Sequence, residues 1–181
     1  AVSKEVVENM NEVPWADRDI FYSVAPEMRN HGVRSVITMK GCPYKCTYCF
    51  NHAFNTMFKG PGVKILRRRT VDDVVSELKD VVKNYPKVRF IRFPDDVFVT
   101  IDKEQLDWLR EFSEKYAKEV GLPFFCLIRS DAFSSEVASL LKKANCTSVS
   151  MSVEAGSEHL RNKVLKRNMS DAVLQTAFRT A

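Results

Sequence analysis

No apolar run in this sequence approaches the ~18 residues that a bilayer-spanning helix needs. The N-terminus, Ala1-Val2-Ser3-Lys4-Glu5, has none of the apolar core of a secretory signal. It also lacks an initiator methionine, as a chain that is processed, trimmed or cut from something longer would. There is no low-complexity tract, and no repeat beyond a recurring strand–helix unit. Strong charge imbalance is missing too. Against 23 acidic residues stand 28 basic ones, and the resulting +5 is a mild excess that argues against a nucleic-acid partner. Cysteine is scarce and odd in number. Five thiols in a long chain with 45% hydrophobic content exclude a disulfide scaffold and read as a reducing compartment, the cytoplasm. At 181 residues there is one domain's worth of chain, with room for a real core.

The most informative shortage is local. In Gly41-Cys42-Pro43-Tyr44-Lys45-Cys46-Thr47-Tyr48-Cys49-Phe50, three thiols fall at C-x-x-x-C-x-x-C spacing directly after the apolar-rich run Val33 to Met39. A strand ending in a tight cysteine loop can wrap one inorganic centre. Three thiolates are one short of the usual four of a closed zinc or cubane site. A [4Fe-4S] cluster held by three cysteines leaves one iron open to an outside ligand. Alternatively His52, three positions after Cys49, closes a Cys3His zinc site and makes the chain a zinc-stabilised binding module.

Taken in order, the chain alternates strands with helices. Residues 1–12 read as a short helix or linker, and 14–30 as irregular, so that 1–30 form an N-terminal extension to a core at 31–181. Strands are expected at Val33–Met39, Val88–Phe93, Phe124–Arg129 and Ser148–Glu154. Between the cysteine loop and Gly60-Pro61-Gly62 no pattern stands out. Thr70 with Asp73 starts a helix whose apolar stripe is Val71, Val74, Val75, Leu78, Val81 and Val82. Asp102 with Gln105 starts a second, burying Leu106, Leu109, Phe112 and Tyr116, and Gly121-Leu122-Pro123 stops it. Val137, Leu140 and Leu141 mark a third helix, and further helical pieces follow Ser157 and Ser170. Strands separated by helices pair in parallel. Four such units predict an α/β fold, part of a TIM-like (β/α) barrel, that continues beyond Ala181.

Three strand exits carry candidate chemistry. In the fourth strand Ser148, Ser150, Ser152 and Glu154 share one face and Val149, Met151 and Val153 the other. Helices pack the outer face of such a barrel, so the polar face points inward. It either lines a ligand cavity or forms a small-residue core layer. Asp95 and Asp96 end the second strand; one can bind a ligand's ammonium while the other caps a turn, or both are turn residues. Arg129 ends the third strand and can grip a carboxylate, unless it pairs with Asp131 or Glu154. Cys126 and Cys146 read as core thiols, His31 and His159 as surface residues, Trp15 and Trp108 as packing anchors. The run Arg67-Arg68-Arg69 reads as a solvated turn rather than a phosphate patch.

With Tyr48 just before its last cysteine, the cysteine loop resembles the signature of the radical S-adenosylmethionine (SAM) enzymes. Phe93-Pro94-Asp95-Asp96 and Val153-Glu154-Ala155-Gly156-Ser157 resemble further motifs of that family. Pro14-Trp15-Ala16-Asp17-Arg18-Asp19 resembles the linker after the cobalamin-binding domain of its cobalamin-dependent branch. The resemblance implies that Cys42, Cys46 and Cys49 ligate a [4Fe-4S] cluster and that the SAM amine and carboxylate take its fourth iron. Tyr48 would lie near the adenine, Asp95 or Asp96 would hold the methionyl amine (where the family commonly has Gly-Gly-Glu), and Ser152 and Glu154 would contact the ribose or methionyl moiety. Arg129 is carried over as a SAM contact. An electron from a flavodoxin- or ferredoxin-type donor would cleave SAM to a 5′-deoxyadenosyl radical that attacks an unidentified small-molecule substrate, in cobalamin-dependent methylation or cyclisation. A second reading is a methylthiotransferase-like core acting on RNA, resting on the basic run and a pI near 9.0.

Overall fold

The computed structural model describes residues 6–58, 60 and 63–181; the first residues of the 1–12 segment and Pro61-Gly62 lie outside them. In chain order come α1 (Arg18–Val24), β1 (Val33–Ser35), β2 (Met39–Lys40), α2 (Phe50–Met57), β3 (Arg67–Arg68) and α3 (Val71–Asn84). Next are β4 (Phe90–Phe93), α4 (Lys103–Glu119), β5 (Phe124–Leu127), α5 (Ser135–Lys143), β6 (Cys146–Ser150) and α6 (Asp171–Thr180). Short 3-10 turns occupy Met10–Glu12, Pro26–Asn30 and Ser130–Ala132, and a π-turn Leu160–Val164. Strands β1, β4, β5 and β6 form one sheet in that order, every pair parallel, while β2 and β3 pair antiparallel apart from it. Sequential parallel strands joined through helices make a partial (β/α) barrel, as the alternating pattern predicts.

Register decides which side chains meet the helices. Ile91 lies opposite Phe124, and Phe93 opposite Cys126, itself opposite Val149. These residues meet a core of Val71, Val74, Val75, Leu78 and Val81 from α3, Leu109, Phe112 and Tyr116 from α4, and Val137 and Leu141 from α5. Phe93 is wholly buried, its ring centroid 5.2 Å from those of both Phe98 and Phe124. Burying one such ring contributes roughly 1.5–3 kcal/mol. On the opposite face stand Arg92, over the Phe125 ring at 5.9 Å, and Ser148, level with Phe125. Alternation therefore places the serines of β6 as expected, with Val149 and Met151 against the core.

Several expectations need correction. Residues 14–30 are not irregular: the Asp17 carboxylate accepts from the amides of Asp19 and Ile20 and starts α1. That helix leaves Ile20 and Val24 exposed, so no buried stripe announces it. α2 was hidden for the same reason, with only Asn51 buried. The first strand breaks after Ser35, and Met39-Lys40 turns to pair with Arg68 and Arg67. The fourth ends at Ser150, short of Glu154, whose left-handed φ of 66° is not a strand conformation. Thr70 caps α3 through the Asp73 amide, as predicted, but Val82 is exposed. Asp102 makes no side-chain cap; its carboxylate accepts from Thr100 Oγ1, and the buried Gln105 accepts from Arg68 Nε at 2.6 Å.

The basic run is no solvated turn. Arg69 is 7% exposed, bridging Asp73 and Glu77, and Glu77 also accepts from Arg18 at 2.6 Å. Arg68 lies 4.1 Å above the Trp108 ring and donates to Gln105, Thr38 Oγ1 and the Phe98 carbonyl. Burial pulls its pKa down to about 10, which leaves it charged at neutral pH. Trp15, expected as a packing anchor, is half exposed and anchors through a hydrogen bond: its Nε1 donates to Asp73 at 2.9 Å and, with Arg18, docks the N-terminal segment on α3.

Candidate cofactor site at the cysteine loop

The loop begins at Gly41, where φ is 94° and an added Cβ would stand 1.9 Å from the Ile65 carbonyl oxygen. Glycine is required there on both counts. The Gly41 amide donates to Asp96 Oδ2 at 3.1 Å, which ties the start of the loop to the exit of β4. Asn55 of α2 reaches back to the Cys42 carbonyl at 2.7 Å. At the far end Thr47 donates through its amide to the Leu165 carbonyl and through its hydroxyl to that of Val164, at 3.2 and 2.8 Å. The segment around 160–168 is thus clamped on the loop from a distant part of the sequence.

Cys46 is buried at 7% exposure, while Cys42 and Cys49 are half-buried, and all three thiols are free. Burial raises the Cys42 pKa; the Tyr44 amide and Arg129 pull the other way. A metal centre at Cys42 therefore has to displace a proton. Among the described residues no three His, Cys, Asp or Glu side chains converge as the ligands of one metal ion do. The thiolate ligands of a cubane bind different irons, so they need not converge on one ion. His52 is exposed on α2 and lines a cavity of about 450 Å³ with Phe54, Phe58, Ile65 and the loop residues Pro43 and Lys45. The donor set, three thiols without a fourth partner, fits a [4Fe-4S] cluster with an open iron.

The two aspartates part company. Asp95 is 1% exposed, and its Oδ1 accepts the amides of Thr38 and Met39 at 2.8 and 2.9 Å while Oδ2 accepts from Thr38 Oγ1 at 2.8 Å. Asp96 is exposed and spends one oxygen on Gly41. Asp95 is therefore a tie between β4 and the strand leading to the cysteines, and Asp96 is the carboxylate open to a ligand.

Burial pushes the Asp95 pKa up to about 6, against hydrogen bonds and Arg68 that pull it down. A folded-state pKa above the unfolded 3.8 means that the folded chain binds the proton more tightly. The associated stability is present below about pH 4 and is lost as pH rises through 6. At about 1.4 kcal/mol per unit the change is of order 3 kcal/mol. We expect urea midpoints of the wild type to fall between pH 4 and 6 more than those of Asp95→Asn. Parallel curves would refute the assignment.

Arg129 lies between the loop and Asp131. Its Nε and Nη2 donate to the two Asp131 oxygens at 3.0 and 2.8 Å, Nη2 also donates to the Arg167 carbonyl at 2.9 Å, and Nη1 points at Cys46 Sγ at 3.6 Å. Its guanidinium carbon lies 3.5 Å from the Tyr44 ring centroid. The salt-bridge alternative to Asp131 is the one realised; four of the five N–H groups of Arg129 are engaged, and one on Nη1 is left for a ligand. Arg167 escaped sequence reasoning. It is 7% exposed and donates to Tyr48 Oη at 2.5 Å, Glu154 Oε1 at 3.3 Å and the Ser152 carbonyl at 3.0 Å, while its Nε is buried without a partner. It thus brings Tyr48, Ser152 and Glu154 together. Burial takes the Tyr48 hydroxyl up to about 12, opposed by Arg167, so it stays protonated. No spacing signals Arg167; it reaches the site because residues with left-handed φ, Lys166 and Asn168, fold the chain back on either side of it. Beside it a cleft of about 390 Å³ is lined by Tyr44, Lys45, Arg129, Asp131 and Asn168.

Comparison with known proteins adds the following. The profile of the Radical SAM superfamily matches residues 36–179. No curated protein sequence matches the chain significantly. Among solved structures, the cobalamin-dependent S-adenosylmethionine radical enzyme OxsB, with aqua-cobalamin and S-adenosylmethionine bound, superposes with a TM-score of 0.77 at 19% identity. The match covers 97% of this chain and 25% of OxsB. The radical S-adenosylmethionine methyltransferase TsrM from Kitasatospora setae, with cobalamin and a [4Fe-4S] cluster bound, superposes with a TM-score of 0.67 at 19% identity over 93% of this chain and 31% of that one. The chain therefore spans a quarter to a third of the length of these structures, and at such identity the likeness is one of fold. No helix among the described residues is long and apolar enough to cross a membrane.

Proposed function

This chain belongs to the Radical SAM superfamily, and from that membership we propose that Cys42, Cys46 and Cys49 hold a [4Fe-4S] cluster that binds and cleaves SAM. When bound, the cluster supplies the electron that splits SAM into methionine and a 5′-deoxyadenosyl radical, which abstracts hydrogen from a small-molecule substrate. Asp96 accepts the methionyl ammonium. The carrying observation is the Gly41–Asp96 hydrogen bond, which fixes that carboxylate against the loop bearing the thiols. Tyr48, oriented by Arg167, offers its ring to the adenine. Ser152 and Glu154, brought beside Arg167, face the ribose. Arg129 keeps one Nη1 N–H for SAM beside its four hydrogen bonds to Asp131, the Arg167 carbonyl and Cys46.

The finer reading is a cobalamin-dependent methyltransferase or cyclase, fed by a flavodoxin- or ferredoxin-type donor. It is supported by the fold shared with OxsB and TsrM and by the Pro14–Asp19 motif, whose Trp15 and Arg18 dock on α3. On this reading 31–181 is the catalytic core and 1–30 an N-terminal extension, of which Trp15 and Arg18 contact α3. The RNA-acting alternative loses the basic run on which it leaned, since Arg68 and Arg69 are occupied in the interior.

The test is anaerobic reconstitution with iron and sulfide, dithionite reduction and low-temperature EPR with and without SAM. A [4Fe-4S]+ signal that changes shape on adding SAM is expected. A cluster blind to SAM, or zinc in its place, would overturn the reading.

A further inference from the structure

Cys46 is the most enclosed of the three motif thiols, and a buried thiolate is costly unless something compensates it. Arg129 is the group in place to do so. Its Nη1 lies 3.6 Å from Cys46 Sγ, within range of an N–H···S hydrogen bond. Four further contacts fix its orientation: the two-pronged grip of Asp131, the Tyr44 ring and the Arg167 carbonyl. A guanidinium remains charged under all conditions of interest. Asp131 offsets that charge from the side away from the sulfur, so the field at Cys46 is that of a fixed dipole with its positive end toward the thiolate. None of these contacts involves Asp96. Hydrogen bonds to cluster sulfurs and nearby charge are established levers on reduction potential.

We propose that Arg129, held by Asp131 and Tyr44, is a positioning residue that hydrogen-bonds the Cys46 thiolate and raises the reduction potential of the cluster. The extra negative charge of the reduced state is met by a donor already in place, so one-electron reduction becomes easier. This rests on the cluster assignment above.

The experiment is an EPR redox titration of reconstituted wild type, Arg129→Met, Arg129→Lys and Asp131→Asn, with iron content measured for each. Arg129→Met is expected to lower the reduced-to-oxidised ratio at a fixed potential about tenfold, which is 59 mV for one electron. Arg129→Lys, which keeps the charge but not the fork, should fall between it and the wild type. Asp131→Asn, which removes the countercharge and keeps the guanidinium, should shift in the opposite direction. A merely structural role for Arg129 would not move the two variants in opposite senses. Should Arg129→Met fail to hold a cluster, the Lys and Asn variants still decide. Potentials in those variants equal to that of the wild type would overturn the proposal alone. A wild type that takes up iron and sulfide in no cluster would overturn the cluster assignment and this proposal together.

Discussion

Alanine at position 46 is expected to reduce iron uptake to background and to abolish SAM cleavage. The other two thiols are half-buried at the rim, whereas Cys46 stands at 7% exposure beside Arg129. Losing it leaves two ligands for a cluster that already lacks a fourth, and leaves Arg129 with a donor aimed at a methyl group. The fold should survive, because one thiol removed from a loop costs about 1 kcal/mol, a typical point-mutant effect. Cys126→Ala is the control. That thiol is wholly buried in the sheet–helix core and belongs to no cofactor site, so the variant should lose stability and keep its cluster. Both are read by iron and sulfide analysis, visible absorbance, and methionine release under reduction. Retained SAM cleavage in Cys46→Ala would end the radical SAM assignment of this loop.

The second large effect separates the adjacent aspartates. Asp96→Asn keeps an oxygen to accept from the Gly41 amide but removes the charge that would meet the SAM ammonium. A hydrogen bond to a charged group is worth roughly 1.5–3 kcal/mol, so SAM should bind about ten- to a hundredfold more weakly with an unfolding midpoint near that of the wild type. Asp95→Ala acts in the opposite way. It strands the amides of Thr38 and Met39, the Thr38 hydroxyl and the nearby Arg68 charge in the interior. The expected loss is on the order of 3–5 kcal/mol, as for breaking a buried charged network. Isothermal titration with SAM and urea denaturation would distinguish the two. If Asp95→Asn abolished SAM binding while Asp96→Asn left it intact, the assignment of roles would be reversed.

Periodicity made the scaffold legible. Val71, Val74, Val75, Leu78 and Val81 repeat at helical spacing and are buried together, and the strand runs at 90–93 and 124–127 lie inside the predicted ones. What periodicity could not report were elements whose apolar residues stay exposed, α1 and α2, and the end of the fourth strand at Ser150, short of the left-handed Glu154. The buried arginines were missed for a related reason. A run of three basic residues looks solvated unless one knows that Glu77, Asp73 and Gln105 lie across from it.

The sequence by itself determined the alternation of strand and helix, the spacing of the three-thiol loop, and the face of β6 that carries the serines. Those follow from local spacing, in which each residue's chemistry and its position along the chain are enough. Only the tertiary structure decided which aspartate is buried, that Arg129 pairs with Asp131 and reaches Cys46, and that Arg167 gathers Tyr48, Ser152 and Glu154. Those choices depend on partners dozens of residues apart. A polar side chain's role is set by whichever of its competitors reaches it first in space, and sequence separation carries no record of that.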